Sequence, residues 1–158
     1  MRGNVKVLFV CTGNTCRSPL AEAAARKVAT ERGLNGVTFV SAGTGAIGGA
    51  GASEGAILVG LERGLDLASH RSQPLTPELV RDSDMILGLS ENHVASAIAM
   101  GGEGKTFLLD DYASNGKTSN SVTDPFGQHI EAYRESANDI GRQVALAVER
   151  ISACGLPP

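Results

Sequence analysis

"VLFVCTGNTCRSPLAE" (Val7–Glu22) passes from a buried strand through a tight turn into a helix. Val5–Val10 is an apolar run broken only by Lys6, the pattern of a strand covered on both faces. Ser18-Pro19 predicts the start of the helix, with Ser18 as N-cap and Pro19 in the first helical position. Glu22 falls one residue too late to close a capping box, although its charge suits a first turn. The helix continues through Ala-rich sequence to Gly33, a suitable C′ residue.

The turn joins a strand end to a helix N-terminus, a place where successive backbone N–H groups can gather round an anion. Gly13 allows a backbone geometry that side-chain-bearing residues resist, and Asn14 is the next most tolerant of a left-handed conformation. Arg17 supplies a planar fork able to grip two phosphoryl oxygens. The helix dipole and the guanidinium together favour the thiolate form of Cys11. A thiolate beneath a bound phosphoryl group is a nucleophile in line with phosphorus. Cys11, five residues, then Arg17 and Ser18 therefore assemble a nucleophile and an oxyanion cradle without a metal or cofactor. The plainer reading makes Cys11 and Cys16 small hydrophobes of a strand end and a helix. The strand–loop–helix setting, with Gly and Ser in place, favours the catalytic one.

Strands and helices alternate along the rest of the chain. "VTFVS" (Val37–Ser41), "MILGL" (Met85–Leu89) and "KTFLL" (Lys105–Leu109) read as further strands. Helices are expected from Ser53 to Gly64, after Thr76-Pro77, and over "SENHVASAIAM", with a polar loop from the fourth strand to Asp124. Ile130, Tyr133, Ala137, Ile140, Val144, Ala147 and Ile151 form one apolar stripe along a last helix. This alternation predicts an α/β domain built on a parallel sheet, with ligands binding beyond the carboxyl ends of the strands. The turn at Cys11–Ser18 lies at that edge.

Bulk properties narrow the function. The 158 residues fit one domain, residues 1–158, and no apolar run approaches a membrane span. The short apolar run near the start lacks the length and cleavage site of a secretory signal, so a cytoplasmic protein is expected. A net charge of −3 with interspersed signs argues against nucleic acid or an anionic membrane as partner. Three cysteines, an odd number, suggest free thiols rather than a disulfide framework. No His, Cys or Asp cluster has metal-site spacing.

Asp124, in "TDPFG", could be a mere Asp-Pro turn ahead of the last helix. Beside a phosphoryl dianion and a thiolate, however, like charge favours its protonated form, which suits a donor to a leaving group. Given Cys11 and Arg17, the acid role is the stronger reading.

Along most of its length the chain resembles the low-molecular-weight protein tyrosine phosphatases. The matching segments are "VCTGNTCRS", "SAG" at Ser41–Gly43, "LASHRSQPLT" around His70, "SDMILGLSENH" at Ser83–His93, and "DPFG". The resemblance implies a four-stranded parallel sheet of order 2-1-3-4 with helices on both faces. It implies a phosphocysteine on Cys11, transition-state binding by Arg17, help for the thiolate from Ser18, and Asp124 as acid and then base. Substrate would bind on the loop Thr12, Gly13, Asn14, Thr15, Cys16 and Ser18 and against Phe126. Asn14 would be held by Ser18, Ser41 and His70, and Cys16 could shield Cys11 through a reversible disulfide. The partners implied are phosphorylated proteins, acted on by a monomer.

Thr12 and Thr15 stand where the tyrosine-directed enzymes usually carry bulky apolar residues. Trp is absent, and "DPFG" offers the single aromatic Phe126. "CTGNTCRSP" with "DPFG" is similar to the bacterial protein arginine phosphatases of the same family. A Thr15 hydroxyl and an Asp124 carboxylate can hydrogen-bond a guanidinium, whereas phosphotyrosine would leave both unpaired. Neutral drift between Thr and Ile is the plainer explanation at Thr15, but a phosphatase acting on phosphoarginine residues of proteins is the favoured reading and a tyrosine phosphatase the alternative.

Competing signals are weaker. "GTGAIG" (Gly43–Gly48) matches the dinucleotide fingerprint, but a helix should open at its third Gly. A loop forming one wall of the site, with Ile47 as a contact, is expected instead. "GEGKT" lacks the first Gly of a P-loop, and "DSD" precedes its strand where an aspartate nucleophile would follow one. A thiol arsenate reductase would need resolving cysteines near Asp84–Leu89, where there are none. A non-catalytic phosphate-binding module would not need Cys11, Arg17 and Asp124 together.

Overall fold

The computed structural model describes residues 4–155. Strand β1 (Val5–Cys11) runs parallel to β2 (Val37–Gly43) on one side and to β3 (Met85–Gly88) on the other. Strand β4 (Thr106–Leu108) joins β3, so the sheet order is β2-β1-β3-β4, as the resemblance implied. Six α-helices surround it: α1 (Arg17–Glu31), α2 (Glu54–Glu62), α3 (Pro77–Asp82), α4 (Glu91–Ala97), α5 (Leu109–Ala113) and α6 (Ile130–Cys154).

The two-faced burial of β1 follows from side-chain alternation along a strand. Val7, Phe9 and Cys11 face a core shared with Leu20 of α1, Val59 of α2, Tyr112 of α5 and Ile140 of α6. Leu8 and Val10 face a smaller core with Val80 of α3 and Ala97 of α4. Helices therefore cover both faces. The stripe on α6 is buried from Tyr133 to Ile151, with Ile130 partly exposed at the start.

Several local expectations change. Helix α1 begins at Arg17, with Cys16 in the N-cap position and no side-chain cap. Ser18 is not the N-cap, because its hydroxyl is engaged by Cys11 Sγ and Asn14. Glu22 does not serve the first turn: its carboxylate accepts from the Ser41 hydroxyl at 2.7 Å and pairs with Arg26 at 2.8 Å. The expected caps at Ser53 and Thr76 are present, each accepting from the backbone N–H three residues on. Beyond Ala97 the chain continues as a π-helical turn, Ile98–Gly102, interrupted at Gly101 with φ 104°. Helix α5 replaces the start of the expected polar loop.

The carboxyl edge of the sheet positions the site. Thr44 N–H donates to the Cys11 carbonyl and Gly45 N–H to the Thr12 carbonyl, both at 2.9 Å, pinning the start of the turn. Gly43 permits that approach, since a Cβ there would stand 2.4 Å from the Thr12 carbonyl oxygen.

Candidate active site

Residues 11–18 wrap around a cleft of about 190 Å³ lined by Cys11, Thr12, Gly13, Thr15, Cys16, Arg17, Asp124 and Phe126. None of the amides of residues 12–16 donates a hydrogen bond within the described residues. These five unpaired amides lie in the turn that leads into the N-terminus of α1, an arrangement able to gather round an anion. The left-handed residue is Asn14 (φ 55°) and not Gly13, which lies outside that region. A Cβ at Gly13 would meet nothing closer than Thr15 Oγ1 at 3.5 Å.

Asn14 and Ser18 are fully buried beneath the loop and do not line the cleft. Asn14 Nδ2 donates to Ser18 Oγ at 2.8 Å and Ser41 Oγ at 3.0 Å, and its Oδ1 accepts from Gln73 N–H at 2.9 Å. Nε2 of His70 lies 2.7 Å from the Asn14 carbonyl. The three expected partners of Asn14 are all in place, and Gln73 and Glu22 extend the set. Because Ser18 Oγ accepts from Asn14, its own proton is free for Cys11 Sγ, 2.8 Å away.

Arg17 is buried, and its guanidinium is anchored on one side. Nη1 donates to Ser90 Oγ at 3.0 Å and to the Val122 carbonyl at 3.1 Å. Nη2 lies 3.5 Å from Thr12 Oγ1 and 3.7 Å from Asp124 Oδ2. Asp124 is half exposed, and its Oδ1 accepts from Phe126 N–H at 3.1 Å. The turn role and the cleft role are thus divided between the two oxygens of one carboxylate. The loop carrying it is fixed by Val122 N–H on the Leu89 carbonyl and by the Ser136 hydroxyl of α6 on the Thr123 carbonyl, both 2.8 Å.

Cys11, Cys16 and Cys154 are all free thiols. Burial, and then the neighbouring Cys11, push the Cys16 thiol up to about 12. Ile47, expected at the wall, is 84% exposed and is not among the cleft residues. Its carbonyl accepts from the Ser72 hydroxyl. Phe126 does line the cleft and is the one aromatic ring among its described residues. Sequence reasoning did not find Ser90, the Val122 carbonyl or His93, whose Nε2 lies 2.9 Å from Thr12 Oγ1. Among the described residues no group of His, Cys, Asp or Glu is arranged to hold a metal, and no helix is long and apolar enough to cross a membrane.

Residues 6–153 match the family model described as low molecular weight phosphotyrosine protein phosphatase. The chain belongs to this family. It is 36% identical to a protein-arginine-phosphatase of Bacillus subtilis (strain 168), over 85% of this chain and 88% of that protein. It is 34% identical to the probable low molecular weight protein-tyrosine-phosphatase EpsP of Ralstonia solanacearum, over 94% and 97%. Among solved structures, it superposes on a YwlE arginine phosphatase mutant with a phosphorylated active-site serine. There the TM-score is 0.88 and the identity 32%, covering 95% of this chain and 97% of that one. Relatives named for arginine and for tyrosine thus stand at similar identity, and the family alone leaves the choice of substrate open.

Proposed function

We propose that this protein is a cysteine-dependent phosphatase that removes phosphate from phosphoarginine residues of proteins. The observation that carries the substrate choice is Thr15: it lines the cleft, and its hydroxyl has no hydrogen-bond partner among the described residues. With the Asp124 carboxyl group lining the same cleft, it offers polar partners to a planar guanidinium. A phenyl ring would leave that hydroxyl unpaired. The similarity to enzymes named for arginine supports the same choice.

The chemistry follows from the geometry. The phosphoryl oxygens lie on the free amides of residues 12–16 and on the unanchored side of Arg17. Cys11, receiving the Ser18 proton in a hydrogen bond, attacks phosphorus as thiolate. Asp124 donates its proton to the departing nitrogen as the P–N bond breaks, leaving phosphate on Cys11. The Asp124 carboxylate then takes a proton from water, which attacks phosphorus and releases phosphate with return of the thiolate. Cys16 does not compete as nucleophile, because its thiol remains protonated at neutral pH.

Phosphotyrosine is the second reading, favoured by the 69% exposed Phe126 ring at the cleft, which could stack on a phenyl group. Parallel kinetics on phosphoarginine and phosphotyrosine peptides distinguish the two. A higher kcat/KM on phosphoarginine is expected, and a preference for phosphotyrosine would reverse the assignment.

A further inference from the structure

His93 is the buried histidine of the chain, 1% exposed, and it belongs to α4 rather than to the loop around the cleft. Its Nε2 lies 2.9 Å from Thr12 Oγ1, while its Nδ1 has no hydrogen-bond partner among the described residues. The first turn of α4 lies close on the end of β3: a Cβ at Gly88 would stand 3.3 Å from His93 Cβ and 2.8 Å from Val94 Cγ2. Glycine at the end of β3 therefore lets the first turn of α4 dock against the sheet and aim the imidazole at Thr12. Burial, and then the charge of Arg17, hold the ring's proton affinity down, to about 4, so it is neutral at neutral pH.

A neutral imidazole has one N–H, and its position decides where the Thr12 proton goes. With the proton on Nδ1, the ring would bury an unpaired N–H and draw the Thr12 proton onto Nε2, away from the cleft. With the proton on Nε2, only an acceptor is left unpaired, a smaller violation than an orphaned donor. In that form Thr12 Oγ1 accepts from His93 and faces Arg17 Nη2 at 3.5 Å. Both lone pairs are then occupied, and the hydroxyl proton is left to point into the cleft that Thr12 lines.

We propose that His93, as its Nε2–H tautomer, is a positioning residue that directs the Thr12 hydroxyl proton at the bound phosphoryl group. The proposal rests on the phosphatase reading above but is independent of the choice between arginine and tyrosine. Thr12 thereby adds a side-chain donor to the backbone cradle, on the side where Arg17 is not anchored. A hydrogen bond to a charged group is worth about 1.5–3 kcal/mol, which corresponds to roughly tenfold or more in rate.

The test combines a tautomer measurement with a double-mutant cycle on an artificial aryl phosphate. Nitrogen-15 spectra of the imidazole in the wild-type protein with bound inorganic phosphate should show the proton on Nε2; a proton on Nδ1 overturns the proposal whatever the variants do. His93→Leu and Thr12→Val should each lower kcat/KM about tenfold, and the double variant should fall no further than either alone. His93→Gln, whose amide N–H reaches the same position, should recover most of the loss. Multiplying losses, or a Gln variant as impaired as Leu while both melt at similar temperatures, would mean that His93 only packs the core. A wild type inactive on the aryl phosphate but with the Nε2 tautomer would sink the phosphatase reading and leave the geometry of His93 intact.

Discussion

Arg17 Nη2 and Asp124 Oδ2 face each other at 3.7 Å across the cleft, one side chain buried and the other half exposed. This separation places a cation beside the carboxylate without consuming it, and leaves Asp124 open to a leaving group. Replacing Asp124 with Asn should slow turnover of substrates with poor leaving groups about 10²–10⁴-fold. An activated aryl phosphate, which needs little protonation, should be affected far less. The slope of log kcat/KM against leaving-group basicity checks this, because kcat/KM reports the steps through leaving-group departure and not the later hydrolysis in which Asp124 acts as base. Equal losses across leaving groups would assign Asp124 to its bond with Phe126 N–H alone.

Thr15→Ile should shift preference from phosphoarginine toward phosphotyrosine. The swap keeps β-branching, so the loop should hold its shape while a hydroxyl partner is exchanged for apolar bulk. Losing one hydrogen bond to a charged group costs about 1.5–3 kcal/mol, so the ratio of kcat/KM on the two phosphoamino acids should move tenfold or more. An unchanged ratio would show that Thr15 takes no part in selection.

Asn14→Ala should destabilise the protein more than Asn14→Gly. Both lose the bonds to Ser18, Ser41 and Gln73, but only Ala retains the steric cost of φ 55°. The difference should be about 1–2 kcal/mol in urea denaturation. A Gly variant no more stable than Ala would mean that the loop relaxes out of the left-handed conformation once the amide is gone.

His93 gives a pH dependence of stability with a definite sign. The folded ring takes a proton only near 4, whereas the unfolded chain takes it near 6.5. The unfolded state therefore binds more protons between those values. Stability from this group is fully present above about 6.5 and is lost as pH falls toward 4. Between pH 7 and pH 5 the wild type should lose about 2 kcal/mol more than His93→Gln, read from urea midpoints. Parallel losses in the two proteins would contradict a buried neutral ring.

The cleft was legible in the sequence where its residues are neighbours along the chain. Cys11, Thr12, Gly13, Thr15, Cys16 and Arg17 all line it, and the strand–turn–helix that carries them is encoded by local apolar pattern and helix-start residues. The residues that brace it were less so. Ser90 and Val122 reach Arg17 from 73 and 105 positions away, and His93 reaches Thr12 from 81, through topology that leaves no local periodicity. The Ser18 cap was misplaced because a serine before proline offers the same local pattern whether its hydroxyl caps a helix or turns to a cysteine. Helix α5 is only five residues long and has no side-chain cap, so its burial by Leu109 and Tyr112 against the core, rather than propensity, sustains it.

The central claim is that phosphate passes from arginine to Cys11. Rapid quench of the protein with a phosphoarginine peptide labelled in its phosphoryl group measures it directly. The label should appear on the peptide containing Cys11, accumulate before phosphate release, and be absent from Cys11→Ala, which has no atom to accept it. Label on any other residue of the wild type, turnover by the alanine variant, or no covalent label from phosphoarginine while phosphotyrosine peptides give one, would contradict the account.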